Sequence, residues 1–329
     1  MKRLIFSFFW ILLLSGSILA NNKCESVKVH TWDNCVGNYQ LSDASSYTGF
    51  FKSGRFDGQG VLNYSNGNKY QGQFKSGKRN GLGLFSYYNG STFLGNYLDN
   101  EKSGFGIFTY KNGGIFYGNW HTDKKNGHGA LQSSDKKLVG IWKDNQFLNF
   151  NTLTCDSAEG SSAETCFGSQ KIEKNRQYLG YIKGEERNGF GSILFLGDGP
   201  FSGDVFMGMF EKDQASGQGL YIFNNGNQFV GTYKSNESDG YGIYVNSNKS
   251  KYFGGVLGGS YHGLGNLTLP NGDNYQGEFK YGKIEGKGDY IWSNGDTYSG
   301  KWFQEKKHGF GTYRWVNGDT YVGMYRDGF

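Results

Sequence analysis

The chain has 329 residues, enough for two ordinary globular domains, but its composition narrows the choice. With 55 glycines, 2 prolines and 18% aromatic residues it fits neither a disordered nor a collagen-like chain, and it calls for many short strands closed by tight turns. A formal charge of +5, or 32 basic against 29 acidic residues once Lys2 and Arg3 are set aside, is too weak to recommend a nucleic-acid partner.

Residues 1–20 read as an export signal: Lys2 and Arg3, an almost wholly apolar stretch at 4–14, then small residues ending at Ala20. The competing reading is a retained anchor, because 4–20 has the length of a short membrane span. Lys23 occupies the site before Cys24 where lipid attachment wants a small residue, which speaks against a lipoprotein. Periplasm, cell envelope or secretion is the expected destination.

Residues 21–46 form a degenerate first unit, in which Cys24 and Cys35 stand ten residues apart. From 47 to 150 runs a periodic array. Tyr47, Tyr70, Phe93 and Phe116 recur every 23 residues, each followed by Gly two positions later and by a Gly pair eleven and thirteen positions later. The period fades at Leu138. A second cysteine-containing cap is expected over 151–177, where Cys155 and Cys166 repeat the same gap, and the array resumes over 178–329 at Tyr178, Phe206, Phe229, Tyr252, Tyr275, Tyr298 and Tyr321, with a five-residue insertion near 197–203. Four cysteines allow three pairings; the spacing favours the local pairs Cys24–Cys35 and Cys155–Cys166, each clasping a terminal hairpin, over a zinc site.

Counting each leading aromatic as position 0, positions 0, 2 and 4 read aromatic, Gly, aromatic or apolar, as in Tyr70-Gly72-Phe74, Trp120 after Phe116, Phe279 after Tyr275 and Trp302 after Tyr298. Positions 11, 13, 15 and 17 carry the Gly pair and two apolar residues. Side chains two apart share a face, so one face is expected to be aromatic and glycine-lined and the other polar. Position 0 is expected opposite position 13, letting a ring lie over bare glycine. In that register the cap cysteines fall on a diagonal of roughly 7–8 Å, long for a disulfide. Asn-Gly recurs seven times between units, from Asn66-Gly67 to Asn317-Gly318, and predicts type I′ turns.

These motifs resemble the MORN repeat (membrane occupation and recognition nexus), whose Tyr-x-Gly-x-aromatic and Gly-x-Gly pattern is met by Tyr70 to Gly83 and Tyr298 to Gly311, with ten full units in register. The expected fold is all-β: an elongated single-layer antiparallel sheet of tandem hairpins in two arrays. The resemblance implies scaffolding, dimerisation or attachment, with chemistry left to other domains.

No constellation for catalysis, cofactor or metal emerges. His30, His121, His128, His262 and His308 are scattered, the Gly-x-Gly pairs open no helix, and Asp273, Asp296 and Asp319 follow Asn-Gly as turn residues. Paired carboxylates for polysaccharide hydrolysis are lacking. The reading is therefore an exported, non-catalytic binding or scaffold module, engaging a protein or itself through a partly uncovered aromatic face or an end strand open to strand addition. No nucleic acid or small-molecule substrate is expected. The alternative is peripheral attachment to lipid headgroups, for which Lys75, Lys78, Arg79, Lys301, Lys306 and Lys307 near the inner turns are the candidates.

Overall fold

The computed structural model describes residues 24, 28–134, 137–148, 165–172 and 175–329. They form two open antiparallel sheets, of 11 and 14 strands, in which every strand pairs with its chain neighbours. The first runs from Cys35–Gln40 to Gln146–Leu148, the second from Thr165–Ile172 to Thr320–Tyr325. One 3₁₀ turn, Val29–Thr31, is the only helical element among the described residues.

Each repeat is a hairpin such as Lys69–Lys75 with Lys78–Ser86. The register differs from the expected one: Tyr70 lies opposite Phe85 and Gly72 opposite Gly83, so position 0 meets position 15 and position 2 meets position 13. The ring still reaches glycine, by lying along its own strand. A Cβ on Gly83 would sit 2.3 Å from Tyr70 Oη and 2.4 Å from its Cε2, so the bare backbone is obligatory. The first glycine of the pair has another duty. Pairing jumps from Gly72/Gly83 to Phe74/Arg79, and Gly81 absorbs this bulge at φ +93°, where a side chain would be strained.

The turns also exchange roles. Asn66 keeps a negative φ, and only Gly67 (φ +84°) is left-handed. Gly67 N–H donates to Tyr64 O at 3.0 Å and Tyr64 N–H to Asn68 O at 2.9 Å, a three-residue hairpin loop built on a type I turn and closed by an αL glycine. Two consecutive positive φ values, the type I′ signature, occur instead at the inner turns, as at Ser76 (51°) and Gly77 (86°) or Asp99 (50°) and Asn100 (79°).

Each array is single-layered, but the face expected to be polar is not. Leu82, Leu84, Leu94, Phe105, Ile107, Tyr117 and Ala130 of the first sheet bury themselves against Met207, Leu220, Val230, Ile243 and Phe253 of the second. The chain doubles back, so that the last hairpins of the first array face the first of the second. His128 stacks on Phe190 at 5.8 Å and its Nε2 is 2.5 Å from Tyr181 Oη; Gln71 Nε2 donates to Asn266 Oδ1 at 3.0 Å nearer the cap.

Candidate interaction surfaces

The aromatic face is assembled from one repeated geometry. Where position 4 is aromatic, each position 0 ring meets edge-to-face the position 4 ring of its own hairpin and that of the next: Tyr70 with Phe74 (5.0 Å) and Tyr97 (5.2 Å), Phe93 with Tyr97 (5.3 Å) and Trp120 (5.2 Å), Tyr275 with Phe279 (5.1 Å) and Trp302 (5.6 Å); Ile182 and Val256 take that place beside Tyr178 and Tyr252. These geometries suit the ring quadrupole and link successive hairpins. Where position 0 is tyrosine, its hydroxyl donates to the carbonyl at position 3, as Tyr70 to Gln73 (2.9 Å) and Tyr252 to Gly255 (2.7 Å). Burial pushes the Tyr70 and Tyr252 hydroxyls far above the usual phenol range.

This face is not left open. Tyr47, Tyr70, Phe74, Phe93, Phe116, Trp120, Tyr178, Phe206, Phe229, Tyr252, Tyr275, Phe279, Tyr298 and Trp302 are all buried, and among the candidate ring residues only Tyr321, at 44% exposure, reaches solvent. The cover comes from position 9, which folds back over the ring. Phe56 stacks on Tyr47 at 3.7 Å and Tyr261 on Tyr252 at 3.8 Å. In several other repeats position 9 is a cation over the rings, with Arg79 over Tyr97 (4.9 Å), Lys125 over Phe116 (4.9 Å) and Lys307 over Tyr313 (4.7 Å), and in the rest it is Ala215, Ser238 or Ile284. Arg79 and Lys307 are thus engaged with rings, whereas Lys75, Lys78, Lys301 and Lys306 stay exposed, Lys78 facing Asp99 at 3.5 Å.

Repeats are clasped at both ends by polar side chains. At the inner turns, the position 7 carboxylate or amide oxygen takes the position 9 N–H of the preceding repeat, as Asn100 from Arg79 (2.9 Å) and Asp213 from Arg187 (2.9 Å). At the outer turns, buried Asp273 accepts Tyr290 Oη (2.9 Å) and Ser293 N–H (2.8 Å), and Asp296 accepts Tyr313 Oη (2.9 Å) and Val316 N–H (2.8 Å). These aspartates are more than turn residues. Burial opposes the charge on Asp273, yet the hydrogen bonds from Ser293 and Tyr290 hold it below the usual carboxylate range; the Val316 N–H does the same for Asp296, and Tyr313 is pushed up to about 12 by burial and by Asp296. Asp319 is exposed, with no following repeat to clasp among the described residues.

At the cap, Cys24 and Cys35 are disulfide-bonded with Cα atoms 5.3 Å apart, closer than the expected diagonal, because Cys24 N–H donates to Val36 O at 3.0 Å. Trp32 replaces the missing position 0 ring, its Cζ3 lying where a Gly37 side chain would go. Cys155 lies outside the described residues, as do residues 1–20, expected from the sequence to be an export signal; Cys166 is buried and disulfide-bonded. Among the described residues no three His, Cys, Asp or Glu side chains gather to hold a metal ion.

Exposed apolar surface concentrates at one end. Strand Thr320–Tyr325 pairs only with Lys306–Arg314 among the described residues, and Phe310 (60% exposed), Val316 (71%), Val322 (56%) and Met324 (69%) crowd that edge with Trp315. Val322 and Phe310 hold positions 1 and 12, the phases that bury Phe253 and Phe105 between the sheets, but the second sheet overhangs the first here.

The MORN repeat family model matches residues 47–69, 70–92, 93–115, 116–136, 206–228, 229–251, 252–274, 275–297 and 298–320. The chain therefore belongs to the MORN repeat family. The match counts nine units rather than ten. The hairpin at Tyr178, followed by the insertion, lies outside it, although Gly180 faces Gly191 and Tyr178 covers both as in the matched repeats. No curated protein matches the chain. Among solved structures, similarity is found to the TCP10 domain of Danio rerio CPAP in complex with a peptide of Danio rerio STIL (9% identity, 88% of this chain and 98% of that one, TM-score 0.28). It extends to the SAS-4 TCP domain of Drosophila melanogaster in complex with a proline-rich motif of Ana2 (12%, 48% and 90%, TM-score 0.27). A virginiamycin B lyase from Staphylococcus aureus is more distant (8%, 87% and 87%, TM-score 0.14). Such scores carry no argument about function.

Proposed function

We propose that this chain is an exported, non-catalytic MORN-repeat module that binds a protein partner or a second copy of itself through the free end of the second sheet. The observation that carries this reading is the strand Thr320–Tyr325, whose outer edge is unpaired among the described residues and whose inner face exposes Val322 and Met324 beside Phe310 of the adjoining strand. An open edge offers backbone donors and acceptors for strand addition, and the adjoining apolar side chains supply the burial that makes such pairing specific. The aromatic column is allotted to holding hairpins together. The leader at 1–20 and the Cys24–Cys35 disulfide both suit an oxidising compartment.

The test is affinity capture from the native envelope with the mature chain and with its Val322→Lys/Met324→Lys variant. Both side chains are exposed, so the variant keeps its fold while charging the edge. Loss of the captured protein and of self-association in the variant supports the reading; undiminished capture contradicts it.

A further inference from the structure

Independently of the terminal edge, we infer that the cleft between the cap and the facing hairpins of the second sheet is a binding site for a neutral polyhydroxylated ligand, a short saccharide. The cleft has a volume of about 450 Å³ and is walled by Asn38, Thr48 and Phe50 on one side and by Gln276, Asp289 and Ile291 on the other. That size lies within the range of about 300–1,000 Å³ usual for small-ligand sites.

The inner faces change character at this point. Position 1 is Leu94, Met207, Val230 and Phe253 where the sheets close on one another, but Thr48 and Gln276 in the cleft; position 14 is Leu84, Ile107, Leu220 and Ile243 in the dry part, but Asp289 here. Both walls turn polar together. Thr48, Asn38 and Gln276 make no side-chain hydrogen bond among the described residues. Asp289 Oδ1 is buried and receives no donor from any described residue. A carboxylate with one buried oxygen and no donor is costly to hold, and a hydroxyl that reaches its other oxygen from the cleft offsets that cost.

The back of the cleft is fixed: Asn274 and Asn266 exchange amide hydrogen bonds of 3.1 and 3.0 Å, and Gln71 donates to Asn266. The disulfide holds the opposite wall. Lys287 and Asp289 compensate in charge along the same strand, which favours a neutral ligand over an ionic one. Hydroxyl groups can donate to Asp289 and both donate to and accept from the Gln276 and Asn38 amides, while the Phe50 ring and Ile291 give an apolar surface for the C–H face of a sugar.

Saturation-transfer NMR on the mature chain should test this, using glucose, galactose, mannose, N-acetylglucosamine and their β-linked dimers as probes, each at about 10 mM, enough to populate a site with Kd near 1 mM. The expected result is saturation transfer to at least one probe, weakened at least tenfold in Asp289→Leu and, from the opposite wall, in Thr48→Val, but unchanged in the remote Asp319→Asn. Amide spectra of each variant separate loss of ligand from loss of fold. No transfer to any probe, transfer undiminished in both well-folded cleft variants, or preference for glucuronate or a polar hexapeptide over every neutral sugar would overturn the inference.

Discussion

At the residue scale the fold rests on a division of labour between two glycines. Gly83 yields space to Tyr70, whereas Gly81 yields a backbone conformation. Gly83→Ala is expected to cost about 2–4 kcal/mol, since ring or strand must move, against about 1 kcal/mol for Tyr70→Phe, which removes only the hydroxyl bond to Gln73 O. Denaturant unfolding of the two variants should preserve that order. The motif made both glycines and the ring visible in the sequence. It did not reveal the bulge, and an unbulged count placed position 0 opposite 13 instead of 15. Asp273 and Asp296 were legible only as turn residues, because their tyrosine partners lie seventeen positions on. Both carboxylates are held below their unfolded pKa of about 3.9, so their contribution is full above that pH and is lost as the pH falls through the folded values. Asp273→Asn/Asp296→Asn should therefore lose less stability than wild type as the pH falls from about 4 towards about 2, followed by thermal melts; parallel losses would contradict the clasp.

At the scale of elements, sequence pattern specified the hairpins, but the outer surface it marked as polar is apolar and buried in the central repeats. Positions 1 and 14 are apolar in consecutive central repeats, from Leu84 and Leu94 to Tyr117 and from Met207 and Leu220 to Phe253. The repeats that fit the motif most closely lack this feature, since Tyr70 and Tyr298 are followed by Gln71 and Ser299. A sheet with one face glued by rings still has a second face to bury, and the apolar column decides where. Ile243→Asp, which sets an unpaired charge in that seam, is expected to cost about 3–5 kcal/mol and to split one cooperative unfolding transition into two. A single unshifted transition would argue against the seam. His128 belongs to the same contact, and burial lowers its pKa. Its contribution is thus present above about pH 6.5 and declines as the pH falls and the unfolded chain takes up the proton. His128→Gln should flatten stability between about pH 7 and 5.

For the whole molecule, the doubling back of two arrays creates the features that bear on function. The overhanging end of the longer sheet and the polar cleft beside the cap both follow from how the sheets overlap, a relation that no repeat encodes by itself. The direct test is column-coupled X-ray scattering of the monomeric mature chain. With strands about 4.8 Å apart, back-to-back packing limits the long dimension to about 65 Å plus loops, the span of fourteen strands, whereas arrays laid end to end would approach about 120 Å. A maximum dimension near the first value is the predicted result; one near the second would contradict the paired-sheet account.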